Sequence, residues 1–153
     1  MITREEVDEA QKKWGRGLIS IGALNHDRAA CEKRTDELLD NLYAYNLGDV
    51  LFKPTKVTVN QFRLTKKSAK SYFIGGDPMN QEDAGFALKP WIKVRFENVA
   101  VILESNRALA MGNYFFTDSE GGETKVEFTF GYQKDSHGRL RIDLHHSSLP
   151  YSP

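Results

Sequence analysis

Four consecutive polar residues, His145-His146-Ser147-Ser148, close a segment whose preceding alternate positions are apolar: Leu140, Ile142 and Leu144. Two imidazoles and two hydroxyls can accept protons, donate them, and hydrogen-bond to oxygens that gain charge. An unpaired polar group in an apolar row costs about 1–3 kcal/mol, so such a run needs partners or a task. In a regular strand adjacent side chains face opposite sides. Parity therefore puts His146 and Ser148 with Ile142 and Leu144, toward a core or cavity. His145 and Ser147 share the other side with Arg141 and Asp143, unless a bulge exchanges the pairs.

Other chemistries fit less well. Asp143 and His145 could chelate a metal weakly, but His145 and His146 diverge on a regular strand and no third ligand accompanies them, whereas catalytic zinc needs three convergent protein ligands. Nucleophilic serine chemistry lacks a Gly-x-Ser-x-Gly elbow. A carboxylate base would need an acidic residue on an inward row; Glu97, Glu104 and Glu127 alternate away from those rows or lie at their ends. His26 and His137 fall in turns, and Cys31 reads as a small buried residue. Thr55, after Pro54 at a strand end, and Tyr72, among apolar neighbours on a short helix, are the remaining candidate hydroxyls.

The elements that must position these groups are legible from periodicity. Thr3 and Glu6 form a capping box, and Val7, Ala10, Trp14, Leu18 and Ile21 recur at helical spacing. Gly15 and Gly17 weaken that helix and leave its end open. A second helix is predicted from about Asp27 to Tyr45, stopped by Asn46-Leu47-Gly48, and a third from Lys66 to Ile74, stopped by Gly75-Gly76. Between them Val50–Thr55 is extended, with Pro54 restricting it to an edge or a strand end. Residues 77–89 read as loop, able to cover a pocket. From Pro90 the period becomes two, with Ile92, Val94 and Phe96 on one side. Turns at Ser105-Asn106, Gly121-Gly122 and Asp135–Gly138 divide the rest into an antiparallel meander ending at Ser148. Trp91, Phe116, Phe128 and Phe130 read as core. Helices followed by a meander imply an α+β fold, a curved sheet wrapping helices around a conical cavity.

Bulk properties narrow the function classes. The 153 residues suit one domain over 1–153, burying roughly two-thirds of the unfolded surface. Basic and acidic residues balance at 21 each, so no long-range field favours nucleic acid or an anionic membrane. No stretch approaches the ~20 apolar residues of a membrane span, and the N-terminus has no apolar targeting core. One cysteine permits no internal disulfide and fits a reducing compartment. The expected location is cytoplasmic.

The order of elements resembles the nuclear-transport-factor-2-like or SnoaL-like cone fold. The ending Ile142-Asp143-Leu144-His145-His146-Ser147-Ser148-Leu149-Pro150 is similar to the last strand of the calmodulin-dependent kinase II association domain, which shares that fold. More specifically, His-His-Ser-Ser-x-Pro resembles the signature of the iota-class carbonic anhydrases. The stretches Phe52–Thr55 and Ser71–Asp77 also resemble that family's, so the likeness spans almost the whole chain. The family's run often has a third histidine where this chain has Leu144.

This resemblance implies reversible hydration of carbon dioxide to bicarbonate. Some members of the family use a metal and others none; the reading here is metal-free, without a cofactor. By position, Thr55, Tyr72 and a histidine and serine of the terminal run would act. Parity selects His146 and Ser148 as catalytic, with His145 and Ser147 as the fallback, substrate-binding pair. His146 would take a proton from water, directly or through a hydroxyl relay, while Ser148, Tyr72 and Thr55 donate to the substrate oxygens. A homodimer is expected from the fold. Two rivals share it: a non-catalytic association or ligand-binding module, and a SnoaL-like isomerase, cyclase or hydrolase, which needs a deep cavity lined by a carboxylate.

Overall fold

The computed structural model describes residues 1–153. Its helices are α1 (Arg4–Gly22), α2 (Arg28–Leu42) and α3 (Lys66–Ile74), and its strands β1 (Leu51–Lys53), β2 (Trp91–Leu103), β3 (Arg107–Asp118), β4 (Glu123–Lys134) and β5 (Leu140–Ser148). Short 3₁₀ turns at Pro78–Asn80 and Phe86–Leu88 interrupt the loop after α3. The sheet order is β1-β5-β4-β3-β2, with β1 parallel to β5 and the rest an antiparallel meander. Pro54 thus follows an edge strand, where its missing N–H leaves no ladder bond unmade. No helix is long and apolar enough to cross a membrane.

At the start of α1 the Thr3 hydroxyl accepts from the Glu6 amide and the Glu6 carboxylate accepts from the Thr3 amide, both at 3.1 Å. Gly15 and Gly17 do not end this helix. Its buried stripe of Val7, Trp14, Leu18 and Ile21 lies in one core of 29 residues that also holds Tyr114, Phe116, Phe128 and Phe130 from the sheet. The second helix stops at Leu42, earlier than its periodicity suggests. Arg141 supplies the reason: its guanidinium donates to the carbonyls of Asp40 and Tyr43 and to Asn46 Oδ1, satisfying helix-end acceptors that another turn would otherwise use. Tyr43 leaves the helix in an extended conformation (φ −102°, ψ 158°). It bridges to Ile142, and the Ala44 amide donates to the Ile142 carbonyl at 2.8 Å. This early exit turns the Tyr43 side chain into the core.

The strands are less regular than their alternation suggests. In β5, Ile142 pairs with Tyr132 and Leu144 with Gly131, so Asp143 is an extra, bulged residue. The β2 strand carries comparable extra residues at Ile92 and Val99, and Ile92 is consequently exposed instead of joining Val94 and Phe96. Two of these bulges sit against a glycine. A Cβ on Gly112 would lie 2.0 Å from the Glu97 carbonyl oxygen, and one on Gly131 2.8 Å from Leu144 Cβ. The Asp143 bulge is clamped by Arg107, whose two terminal nitrogens donate to the carboxylate at 2.7 and 2.9 Å.

The bulge overturns the parity expectation. Leu140 and Ile142 are buried, Leu144 is half-buried, and the buried row resumes at His145 and Ser147. His146 is exposed, and Ser148 lies on the outer side with its hydroxyl donating to Glu127 at 2.9 Å. Gly131→Ala should therefore destabilise the fold by about 1–3 kcal/mol, because Leu144 Cβ is anchored to backbone and must move. Urea unfolding should report this as a lower midpoint at unchanged slope; an unaltered midpoint would show that the bulge tolerates a methyl group there.

Candidate active site

Five elements converge beneath the bulge. The β5 strand presents His145 and Ser147, β3 presents Tyr114, and α1 presents Trp14. The turn after β1 supplies Pro54 and Thr55, and α3 supplies Tyr72 and Phe73. With Phe52 and Phe86 these residues line a small, partly enclosed cavity of about 10 Å³. That is near the lower limit for holding a single water, so only a ligand of very few atoms fits without movement. A larger depression of about 760 Å³ lies outside, between α1, α2 and the β4–β5 turn. It is a surface groove with a mostly charged and polar lining, and it shares no lining residue with the small cavity.

The cavity's hydroxyls form a chain. Thr55 Oγ1 lies 2.6 Å from Ser147 Oγ, and Ser147 Oγ lies 2.5 Å from the Tyr114 hydroxyl. The Tyr114 hydroxyl is 3.0 Å from His145 Nε2, and the Tyr43 hydroxyl is 2.8 Å from His145 Nδ1. Trp14 Nε1 donates to the Tyr43 hydroxyl at 3.0 Å. The Tyr72 hydroxyl accepts from the Lys56 amide at 3.1 Å, which leaves its proton available to the cavity.

The walls are held by a second polar knot. Arg63, completely buried, donates twice to Asp83 at 2.7 Å, and Ser71 on α3 donates to the same carboxylate. The Arg63 amide donates to the Phe52 carbonyl at 2.7 Å, and Lys53 Nζ donates to the Ser147 carbonyl at 2.9 Å. These bonds tie β1, the turn carrying Thr55 and the helix carrying Tyr72 into one unit.

Burial sets the electrostatics. The His145 ring is stacked between Phe52 on β1 and Phe130 on β4, with centroids 4.7 and 4.1 Å away. Both are its cross-strand partners. Loss of solvent between these rings, reinforced by His146, holds the imidazole well below its ordinary pKa, so it is neutral. Burial also pushes Tyr72 up to about 12, against the hydrogen bonds from Lys56 and Thr55, and raises Tyr114 and Tyr43 further. At neutral pH every phenol here keeps its proton. The pocket offers hydroxyl donors around a neutral imidazole.

Of the residues singled out from sequence, Thr55, Tyr72, His145 and Ser147 come together, while His146 and Ser148 do not. The suggested Asp143–His145 chelate does not form, because Arg107 and Gln133 occupy the Asp143 carboxylate. No three His, Cys, Asp or Glu side chains cluster where an ion could be held. Sequence reasoning missed Tyr43 and Tyr114 and read Trp14 only as part of a helical stripe. Tyr114 had a signal: it is the one polar-tipped residue in the inward row Ala108, Ala110, Gly112, Tyr114, Phe116. Tyr43 had none, since its position depends on where α2 ends.

Comparison with known proteins gives a consistent picture. Residues 5–149 match the family model described as metal-independent carbonic anhydrase. A metal-independent carbonic anhydrase from Nostoc sp. (strain PCC 7120) is 44% identical over 98% of this chain and 75% of its own length. The crystal structure of a cyanobacterial iota-carbonic anhydrase complexed with bicarbonate superposes with a TM-score of 0.95 at 42% identity, covering 99% of this chain and 94% of that one. A nuclear-transport-factor-2-like protein from Salmonella enterica shares the fold at 13% identity, with a TM-score of 0.55 over 97% of this chain and 91% of its own.

The neutral, buried imidazole has a measurable consequence. Its folded pKa is depressed, while an unfolded imidazole titrates near about 6.5. Below that value the unfolded chain binds a proton the folded chain refuses, so stability falls as pH falls, by at most about 1.4 kcal/mol per pH unit for this ring. The loss runs from the ordinary imidazole range down to the folded pKa of His145; above that range the ring adds no pH dependence. Asp135, held at about 2, acts only at lower pH. Urea unfolding free energies of wild type should slope through the weakly acidic range, and His145→Gln should flatten the slope. Parallel slopes would contradict the neutral assignment.

Proposed function

We propose that this chain, which belongs to the family of metal-independent carbonic anhydrases, uses the small hydroxyl-lined cavity as its active site. The reaction is the reversible hydration of carbon dioxide to bicarbonate and a proton. One observation carries the assignment of the site: four hydroxyls, those of Thr55, Ser147, Tyr114 and Tyr72, line a cavity that otherwise has aromatic and proline walls and no room for a larger organic molecule.

The chemistry follows from that lining. Carbon dioxide is linear and has no dipole, and Phe52, Pro54, Phe73 and Phe86 offer it an apolar wall. A water held by the hydroxyls faces its carbon, which turns an encounter into a positioned attack. As the new C–O bond forms, an electron pair moves onto a carbon dioxide oxygen. Thr55 and Tyr72 donate hydrogen bonds to that growing charge, among side chains that are themselves largely buried. Ser147 and Tyr114 hold Thr55 in place. Burial keeps the phenols protonated, so they remain donors as bicarbonate forms. The bicarbonate bound in the cyanobacterial neighbour carries the acceptor oxygens that these hydroxyl donors suit.

A SnoaL-like isomerase acting on a polycyclic ligand is disfavoured by the cavity's size and by the lack of a lining carboxylate. Assembly is compatible with catalysis. Ile102 and Met111 on β2 and β3 are exposed on the outer side of the sheet, and we assign that side to a homodimer contact; sedimentation of Met111→Lys should show a shift toward monomer. A cytoplasmic setting agrees with the single buried thiol, Cys31.

Stopped-flow carbon dioxide hydration on chelator-treated protein tests the site. Thr55→Val and Tyr72→Phe should each lower the rate by about 10²–10³-fold, as for loss of one charge-stabilising donor. His146→Ala should stay within about twofold, in line with surface substitutions. Wild-type rates in both Thr55→Val and Tyr72→Phe would remove the cavity from the reaction, and a wild-type rate no faster than the uncatalysed one would make the chain an assembly module.

A further inference from the structure

The hydrogen bonds around His145 run in one direction, and that direction decides what the site can do with a proton. Trp14 Nε1–H is a donor only, and it donates to the Tyr43 hydroxyl oxygen at 3.0 Å. The proton of Tyr43 then has one acceptor, His145 Nδ1 at 2.8 Å. Tyr43 is completely buried, so an unplaced O–H there would cost about 1–3 kcal/mol. Were the ring proton on Nδ1, that nitrogen and the indole would both donate into the phenol oxygen, and the phenol's own proton would face nothing. The ring proton therefore sits on Nε2 and donates to Tyr114 at 3.0 Å. Tyr114 must in turn donate to Ser147, and Ser147 to Thr55. The hydroxyl proton of Thr55 is the one left over by the chain, reaching the Tyr72 oxygen and any acceptor that enters the cavity.

The geometry points to Tyr43, backed by Trp14, as a positioning pair that holds His145 as its Nε2–H tautomer, so that the hydroxyl chain meets its ligand as a donor and His145 is not the proton acceptor of the reaction. The tautomer stands on the hydrogen bonds alone; its catalytic consequence rests on the active-site reading above. The groups that face the ring are Phe52, Phe130, Trp14, Tyr43 and Tyr114, with His146 the adjacent titratable residue and no carboxylate bonded to either ring nitrogen.

In hydration the water oxygen forms a bond to carbon, one C=O π pair moves to the oxygen that accepts from Thr55, and the water loses a proton. That proton passes to solvent or to a dissolved buffer base. It does not pass along the chain to His145 Nε2, which already carries a proton. Reversing the chain would require all its hydroxyls to turn and would leave the Tyr43 proton without an acceptor. In dehydration the same steps run backwards: a proton from solvent or a buffer acid reaches the bicarbonate hydroxyl, which departs as water, while Thr55 donates to the oxygen that returns its electron pair to carbon.

Nuclear magnetic resonance of protein labelled with ¹⁵N-histidine reads the tautomer directly. His145 should show a protonated Nε2 and a bare Nδ1, unchanged across the imidazole titration range. A ring proton on Nδ1, or a doubly protonated ring, would overturn the proposal. Tyr43→Phe should add a population protonated on Nδ1; a spectrum still showing only Nε2–H would remove the role of Tyr43. As a second arm, His145→Gln keeps an N–H aimed toward Tyr114 but has no basic nitrogen. It should hydrate carbon dioxide about tenfold or more faster than His145→Ala, whereas equal losses in the ~10²–10⁴ range would identify His145 as a general base. Should the expected spectrum coexist with wild-type rates in the Thr55 and Tyr72 variants, the tautomer stands and the active-site reading falls. The contrary spectrum with slow variants has the opposite meaning.

Discussion

The pairing of Arg107 with Asp143 is the constraint on which the site depends. An extra residue in a strand breaks its ladder and leaves a side chain without a place on either face. Here that residue is an aspartate whose carboxylate receives two donors from one guanidinium, a geometry that fixes orientation as well as distance. Gly131 on the neighbouring strand allows the approach. The outcome is a change of face for everything downstream. Leu144 leaves the core row, and His145 and Ser147 enter it between Phe52, Phe130 and Phe128.

Once inside, the imidazole is governed by its neighbours. Two aromatic rings strip its solvent and hold it neutral, and two phenols occupy its nitrogens. Buried polar networks are favourable only when each member is satisfied, and no buried side-chain nitrogen or oxygen in this protein lacks a partner. A satisfied network is also an ordered one: with each proton assigned, the hydroxyls are held for a ligand without reorganisation at the moment of reaction, which is how preorganised donors gain their effect. The Arg63–Asp83 knot plays the matching mechanical part by binding the turn of Thr55 to the helix of Tyr72. A small cavity lined by hydroxyls suits the hydration of carbon dioxide. The substrate needs little recognition, and the demand falls on placing one water and a few donors.

Much of this was legible in the residues themselves. The capping box at Thr3, the bounds of α3, the edge position implied by Pro54 and the meander with its turns all follow from local rules of hydrogen bonding and backbone sterics. Thr55 and Tyr72 stood out as candidate hydroxyls, and the resemblance joined them to the terminal run; the structure lines one cavity with both and with His145 and Ser147. The α+β cone, read from helices followed by a meander, and the carbonic anhydrase family, suggested by resemblance, agree with the superposed structure and the matched family model.

What local rules could not settle were the choices made between distant segments. Side-chain parity propagates along a strand, so one bulge inverts every later assignment, and that bulge is stabilised by Arg107, some thirty-six positions away from Asp143. The end of α2 is set by Arg141, nearly a hundred positions beyond it, and with it the inward turn of Tyr43. The depressed pKa of His145 arises from rings on two other strands. Composition and periodicity thus determined which chemical groups this protein possesses and which elements carry them. Only tertiary structure decided which histidine faces inward and in which direction its protons point, because both depend on hydrogen bonds and packing between residues far apart in the chain.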